Sequence, residues 1–389
     1  MIIVCELVCW GDEHVPVNSG LLEVIRLAFP HRNVTFCGEE SHLNLVRMQI
    51  GPEMSSSIFW KAISLPPRHA QFSRRWIADF KLLKYLLKRS NEDAFAHLVL
   101  TAAGPSILVA LKFLLCFLQG IKSTQIFLHG NLNELTERRS RNPFIRWQNL
   151  RTALTLGNNK KIQYIVLEES IRETLLRILP SLQGSVAVLD HPIPPHEEAT
   201  DIINFHPPFH FGFLGLATEA KGFPLYSKVA CVMSKKFSQF VEFHVIGRIL
   251  DNGQKLEMDG LSSKPDTGRL SRNEFVRRLK SLHFTCFPYI KNYYELSPSG
   301  TLLDAIAWEK PIIASRLPIF EKLFSRFGDI GYLYENEAEF SQIIEKIIKE
   351  ADVARYRKQV MSIREVKCSR TTKSLACTYR GLYEKVNMR

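Results

Sequence analysis

At 389 residues the chain is too long for one ordinary core, and with 46% hydrophobic residues it is too apolar for disorder. Its net charge of +12 suits a polyanionic partner: nucleic acid, anionic lipid or a phosphorylated substrate. The longest apolar run, Ile107 to Ile121, is broken by Lys112 and Gln119 and is too short to span a bilayer, and none of the eight cysteines forms a CxxC pair.

Met1-Ile2-Ile3-Val4 starts directly as a strand, with no basic segment before it, so a reduced, cytoplasmic protein is expected. Met1–Val8 reads as the first strand, Trp10 to Gly20 as a loop containing His14 and Asn18, and Leu21–Phe29 as a helix. Asn33–Cys37 and His97–Thr101 are further strands, and Gly104-Pro105 opens a helix reaching Leu118. Thr124–His129 is a strand running into Gly130 and Asn131. Ile162–Leu167 is another strand, Ser170–Leu179 a helix and Val186–Leu189 a short last strand. Continuously apolar strands alternating with helices predict a parallel, doubly wound sheet.

Within this half, Ser73–Ser90 reads as a basic amphipathic helix. Trp76, Ile77, Phe80, Leu83 and Leu87 share a face flanked by Arg74, Arg75, Lys81, Lys84, Lys88 and Arg89. Such a helix either lies on anionic lipid or packs on a core with its basic face in water. Arg138, Arg139, Arg141, Arg146 and Arg151 add charge to the same half.

The Pro-rich stretch 191–207 predicts a linker between a first domain, 1–190, and a second, 208–365. Residues 366–389 are expected to be a C-terminal helix returning to the first domain. In the second domain, Phe209–Leu214 is a strand, Gly215–Gly222 a loop, and Pro224–Ser234 a helix. Val241–Ile246 is a strand ending at Gly247-Arg248, and 251–268 a polar loop. Ser271–Leu282 is a helix with Ser271 and Glu274 in capping-box spacing, followed by the strand Phe284–Pro288. Ala338–Glu350 and a segment to about Lys385 are helical.

The most informative stretch is Glu295 to Ala314. Ser297, Pro298, Ser299 and Gly300 are turn and N-cap types, Thr301–Trp308 is a short apolar helix, Lys310-Pro311 stops it, and Ile312–Ala314 is a buried strand. A small-residue loop feeding a helix offers free backbone N–H groups and a positive dipole end, which is a place for a phosphate. No Asp-x-Asp motif occurs, and no His/Asp/Glu group along the chain has metal-ligand spacing, so neither a metal nor a cofactor is expected.

Glu295, Ser299-Gly300-Thr301, Asp304-Ala305 and Lys310-Pro311 resemble the donor-site signature of retaining GT-B glycosyltransferases of the group 1, family 4 type, many of which build bacterial surface polysaccharides. The second acid is Asp304 where that group has Glu, it lies one position further from Glu295, and Glu309 stands where a Gly precedes the Lys-Pro. Gly215 to Gly222 resembles the group's Gly-Arg…Lys-Gly loop. Lys221-Gly222 matches, Leu216 replaces the Arg, and Arg248 is the nearest substitute cation.

The resemblance implies two Rossmann-like parallel-sheet domains facing a cleft. It implies sugar transfer from a nucleotide-diphosphate sugar to a glycan or lipid-linked glycan, without metal. Catalytic roles would fall to His129, Lys221 and Glu295. Donor contacts would fall to Gly215, Lys221, Gly222, Arg248, Tyr289, Ser299, Gly300, Thr301 and Asp304. His14, Asn18, Gly20 and Gly130 would lie on the acceptor side. The inner membrane face is the expected workplace, and nucleic acid is not expected as a partner. A nucleotide-sugar epimerase of the same fold and a catalytically inactive partner subunit are the rival readings.

Overall fold

The computed structural model describes residues 1–67, 71–90, 97–117, 123–136, 148–157, 160–193, 203–249, 258–268, 270–290 and 294–387. The chain divides into two compact units. The first comprises 1–196, 296–298 and 370–389; the second comprises 197–295 and 299–369. Most of the segment expected as a linker lies outside the described residues.

The first unit holds a seven-stranded, all-parallel sheet: β1 (Ile2–Glu6), β2 (Val34–Gly38), β3 (Phe59–Ala62), β4 (His97–Ala102), β5 (Ser123–Phe127), β6 (Ile162–Val166) and β7 (Val186–Val188), in the order β3-β2-β1-β4-β5-β6-β7. Strand alternation explains why β1 is apolar throughout. Ile3 and Cys5 face one core, and Ile2 and Val4 the other. The first core is closed by α3 (Phe72–Ser90), α4 (Pro105–Phe117), α5 (Leu150–Thr155) and α6 (Glu169–Ile178). The second is closed by α1 (Val15–Ala28), α2 (Glu40–Ser56) and the C-terminal α13 (Thr372–Asn387), whose Leu375, Ala376 and Tyr379 are buried there.

The second unit holds five parallel strands: β8 (Phe209–Leu214), β9 (Val241–Ile246), β10 (Phe284–Phe287), β11 (Ile312–Ser315) and β12 (Gly331–Tyr334), in the order β12-β11-β10-β8-β9. Its helices are α7 (Phe223–Lys236), α8 (Arg272–Lys280), α9 (Gly300–Ala307), α10 (Pro318–Phe327), α11 (Glu337–Glu350) and α12 (Val353–Ser369). Phe209, Phe211, Phe213, Phe243 and Phe284 centre the core. Ser271 caps α8 by accepting from Glu274 N at 3.3 Å.

Two readings are corrected, and one open choice is narrowed. The first helix begins at Val15, because Pro16 fits a first helical turn without losing a needed N–H. Asn18 and Gly20 are therefore helical and buried, not loop residues. Gly20 is there for close packing, since a Cβ would sit 2.9 Å from Pro192 Cγ. Secondly, α2 and β3 lie in a stretch given no elements from sequence: α2 is kinked at Gly51-Pro52 (Gly51 φ 78°), which breaks the helical period. Likewise α10 and β12 went unread. The open choice concerns the basic helix, which packs on a core with its basic face in water: Leu83, Leu86 and Leu87 are buried in the first core, while Arg74, Lys81 and Lys84 are exposed. Arg151 donates to the carbonyls of Leu135 and Ile178. Arg138, Arg139, Arg141 and Arg146, and the side chains of Lys88 and Arg89, lie outside the described residues. No described helix is long and apolar enough to cross a membrane.

Candidate functional site

In the second unit, β8 and β9 both end in glycine. Gly215 (φ 90°) and Gly247 (φ 155°) press together so closely that a Cβ on Gly247 would meet Gly215 O at 1.9 Å. Gly215 N donates to Ile246 O at 2.8 Å, fixing the turn. Gly222, left-handed at φ 70°, starts α7 against the Pro288 carbonyl, where a Cβ would come within 1.6 Å. Between these glycines the chain returns Lys221 over Gly215. A Cβ there would lie 2.9 Å from Lys221 Nζ and 2.9 Å from the Thr301 methyl. The structure thus brings Gly215, Lys221 and Thr301 together.

Burial pushes the Lys221 ammonium down to about 8, and Asp304 opposes that shift from nearby. Asp304 itself is held by Arg272 at 2.7 Å, a partner on α8 that sequence spacing does not reveal. Ser299 caps α9 by accepting from Leu302 N at 3.2 Å. Tyr289 OH bonds Ser299 Oγ at 2.9 Å and Thr301 Oγ1 at 3.0 Å, so the buried tyrosine anchors the small-residue loop. The cap satisfies one N–H of the first turn and leaves those of Gly300 and Thr301 outside the helical ladder. Gly300 and Arg248 are exposed, and Glu295 is half-buried just before Leu296–Pro298, which belongs to the first unit.

Glu309 explains a departure from the family pattern. Its φ is 55°, the left-handed region that favours glycine, yet its carboxylate receives Arg364 (3.0 and 2.7 Å) and Lys367 (3.0 Å) of α12. Lys310 is buried and donates to Lys280 O at 2.7 Å, so it braces the turn.

In the first unit, His129 follows β5 and is 5% exposed. Its ring stacks on His14 with centroids 4.7 Å apart and planes 6° apart. His14 itself is left-handed (φ 54°) at the start of α1, and a Cβ on Gly130 would meet its ring at 3.3 Å. His14, His129 and Gly130 are thus brought together. Neither ring nitrogen of His129 has a hydrogen-bond partner among the described residues. Burial, then His14, pushes its pKa down to about 3, against an upward pull from Glu6; the ring is neutral.

Asn18 is framework. Its amide donates to Glu6 Oε2 at 3.0 Å and meets His42 Nε2 at 2.8 Å. Glu6 is fully buried, which raises its pKa. Bonds from Cys9 N, Val8 N, Asn18 and Thr101 outweigh that and keep it low, so a carboxylate charge sits beneath the histidines.

No protein-family model and no curated protein sequence matches the chain. Solved structures do. A glycosyltransferase from Rickettsia africae is similar at TM-score 0.66 and 12% identity, covering 99% of this chain and 98% of that one. A trehalose-6-phosphate structure from E. coli, bound with UDP-2-fluoro glucose, is similar at TM-score 0.65 and 10% identity over 100% and 99%. WaaG, a glycosyltransferase involved in lipopolysaccharide biosynthesis, is similar at TM-score 0.62 and 11% identity over 98% and 99%. The chain has the GT-B fold.

Proposed function

We propose that the chain is a glycosyltransferase that moves a sugar from a nucleotide-diphosphate sugar to a glycan or lipid-linked glycan acceptor, with retention. The observation that carries this is the Lys221 ammonium, drawn over Gly215 beside the N-terminus of α9. A half-buried cation next to free N–H groups suits a diphosphate whose charge grows as the sugar leaves. The UDP-2-fluoro glucose of the E. coli structure and the lipopolysaccharide role of WaaG support this choice of chemistry.

The proposed roles join this geometry to the resemblance. Lys221 and the Gly300 and Thr301 N–H groups would take the diphosphate, with Arg248 as the second cation in place of the arginine missing at Leu216. Tyr289 positions the loop. Asp304 and Glu295 would take hydroxyls of the donor sugar or ribose. His129, neutral and with both ring nitrogens unpartnered among the described residues, would hydrogen-bond a sugar hydroxyl. These groups can bear the leaving-group charge without a metal. The exposed Arg74, Lys81 and Lys84 suit an anionic membrane carrying a lipid-linked acceptor, on its inner face.

The test is donor hydrolysis by the purified chain over a panel of nucleotide-diphosphate sugars, with Lys221→Ala as control. Nucleoside diphosphate release that requires Lys221 is expected. Binding without turnover for every donor indicates the inactive-subunit reading, and interconversion of donor sugars without release indicates an epimerase.

A further inference from the structure

We propose that His210, Glu242 and His244 form a binding site for a divalent transition metal of the zinc class, at the opposite end of β8 and β9 from the donor loop. Strand alternation builds it. Phe209, Phe211, Phe213 and Phe243 face the core, so His210, Glu242 and His244 share the other face of the same two strands. The parallel register pairs His210 with Glu242 and Gly212 with His244. No motif within one segment shows this, because the ligands come from two strands more than thirty residues apart in the chain.

Three donor atoms converge. His210 Nδ1 and His244 Nε2 are 3.0 Å apart, and Glu242 Oε2 is 3.3 Å from each. Tetrahedral zinc with bonds of about 2.0–2.1 Å sets its ligand atoms roughly 3.3 Å apart, so the three occupy one face of such a shell. Only one proton fits between two imidazole nitrogens that point at each other, whereas a dication satisfies both lone pairs and the carboxylate together.

The surroundings fit as well. Ser263 Oγ lies 3.3 Å from His244 Nδ1, and in the metal-bound tautomer it would accept that N–H while Nε2 ligates. His283 is not a ligand: its Nδ1 accepts from His210 N at 2.9 Å and its Nε2 lies 3.0 Å from Asn204 O. Instead its ring stacks on His210, centroids 5.3 Å apart, and steadies it. All three ligands are partly exposed, so water completes the shell. Two imidazoles and one carboxylate are a borderline donor set, suited to zinc and poorly suited to magnesium or calcium. His210 is the second residue of β8 and Gly215 follows its last, five residues and roughly 17 Å along the strand. Glu242 and His244 are the second and fourth residues of β9, so the metal would clamp the two strands ahead of their glycine turns and not touch the diphosphate.

The experiment uses the full-length, untagged chain stripped with EDTA. Zinc titrated by calorimetry should bind one-to-one, and zinc should raise the melting temperature while magnesium should not. In the His210→Ala/His244→Ala variant both effects should vanish, with melting in EDTA unchanged. Glu242→Gln, a milder change that decides the matter should the double variant not fold, should weaken zinc binding by about tenfold or more. Zinc bound as tightly by these variants as by the wild type, or no one-to-one binding by the wild type, overturns the site.

Discussion

Lys221 Nζ fills the space that a side chain on Gly215 would need: a Cβ there would lie 2.9 Å from the ammonium. The glycine at the end of β8 and the lysine six residues on are one device. On the proposed function, Lys221→Ala should fold normally and lose about 10²–10³-fold in turnover, since the lysine would meet charge that grows in the transition state. Lys221→Arg should keep part of the activity. Gly215→Ala should displace the ammonium and strain a backbone at φ 90°, lowering turnover with Lys221 intact. Initial rates at saturating donor, with melting curves as the folding control, check all three; near-normal turnover in Lys221→Ala would remove the device.

The same lysine sets a proton linkage. In the free protein burial holds its pKa at about 8. The folded state therefore binds fewer protons than the unfolded state between about 8 and the ordinary lysine value. The cost of burying this charge is present below about 8 and is relieved as pH rises through that window. A diphosphate bound there as proposed would raise the pKa again, so nucleoside diphosphate binding should take up a proton near pH 9 and weaken as pH rises. Calorimetry at pH 9 in two buffers of different ionisation enthalpy measures the uptake. Equal uptake in wild type and Lys221→Ala would exclude Lys221 as its source.

Glu309 should reverse a familiar ranking. Alanine normally outlasts glycine by roughly 0.5–1 kcal/mol, but at φ 55° the glycine is the unstrained residue. Both substitutions strand Arg364 and Lys367, each a charged hydrogen-bond donor worth about 1.5–3 kcal/mol when paired. The expected order of stability is wild type, then Glu309→Gly, then Glu309→Ala. Urea unfolding gives it directly, and an alanine variant above the glycine variant would show that backbone strain does not matter there.

The basic face of α3 predicts salt-sensitive lipid binding. Arg74, Lys81 and Lys84 are exposed, beside exposed Ile77, Phe113 and Phe117. Each basic residue near an anionic surface contributes about 1 kcal/mol, screened within a Debye length. The chain should co-sediment with anionic vesicles at low salt and release at high salt, and the triple Gln variant should bind several-fold more weakly without losing its fold. Equal sedimentation with neutral vesicles would count against an electrostatic surface.

The sequence by itself determined every strand except β3 and β12. Runs such as Ile2–Cys5 and Ile312–Ala314 are apolar on both faces, and that suits only a sheet covered on both sides. Ser299-Gly300-Thr301 was legible because turns and caps need particular residue types, whereas Gly215 and Lys221-Gly222 stood out only through the resemblance. Tertiary structure decided what local chemistry leaves open. Asn18 looked like a loop residue and is a buried prop for Glu6, because Pro16 starts the helix early. Glu309 stands in a glycine position because two cations from α12, more than fifty residues away, hold its carboxylate. His14 meets His129 only when the start of α1 and the end of β5 fold together, and His210 meets Glu242 and His244 only through strand register. Periodicity reports which face of an element is apolar; it carries no information about which distant element will cover that face.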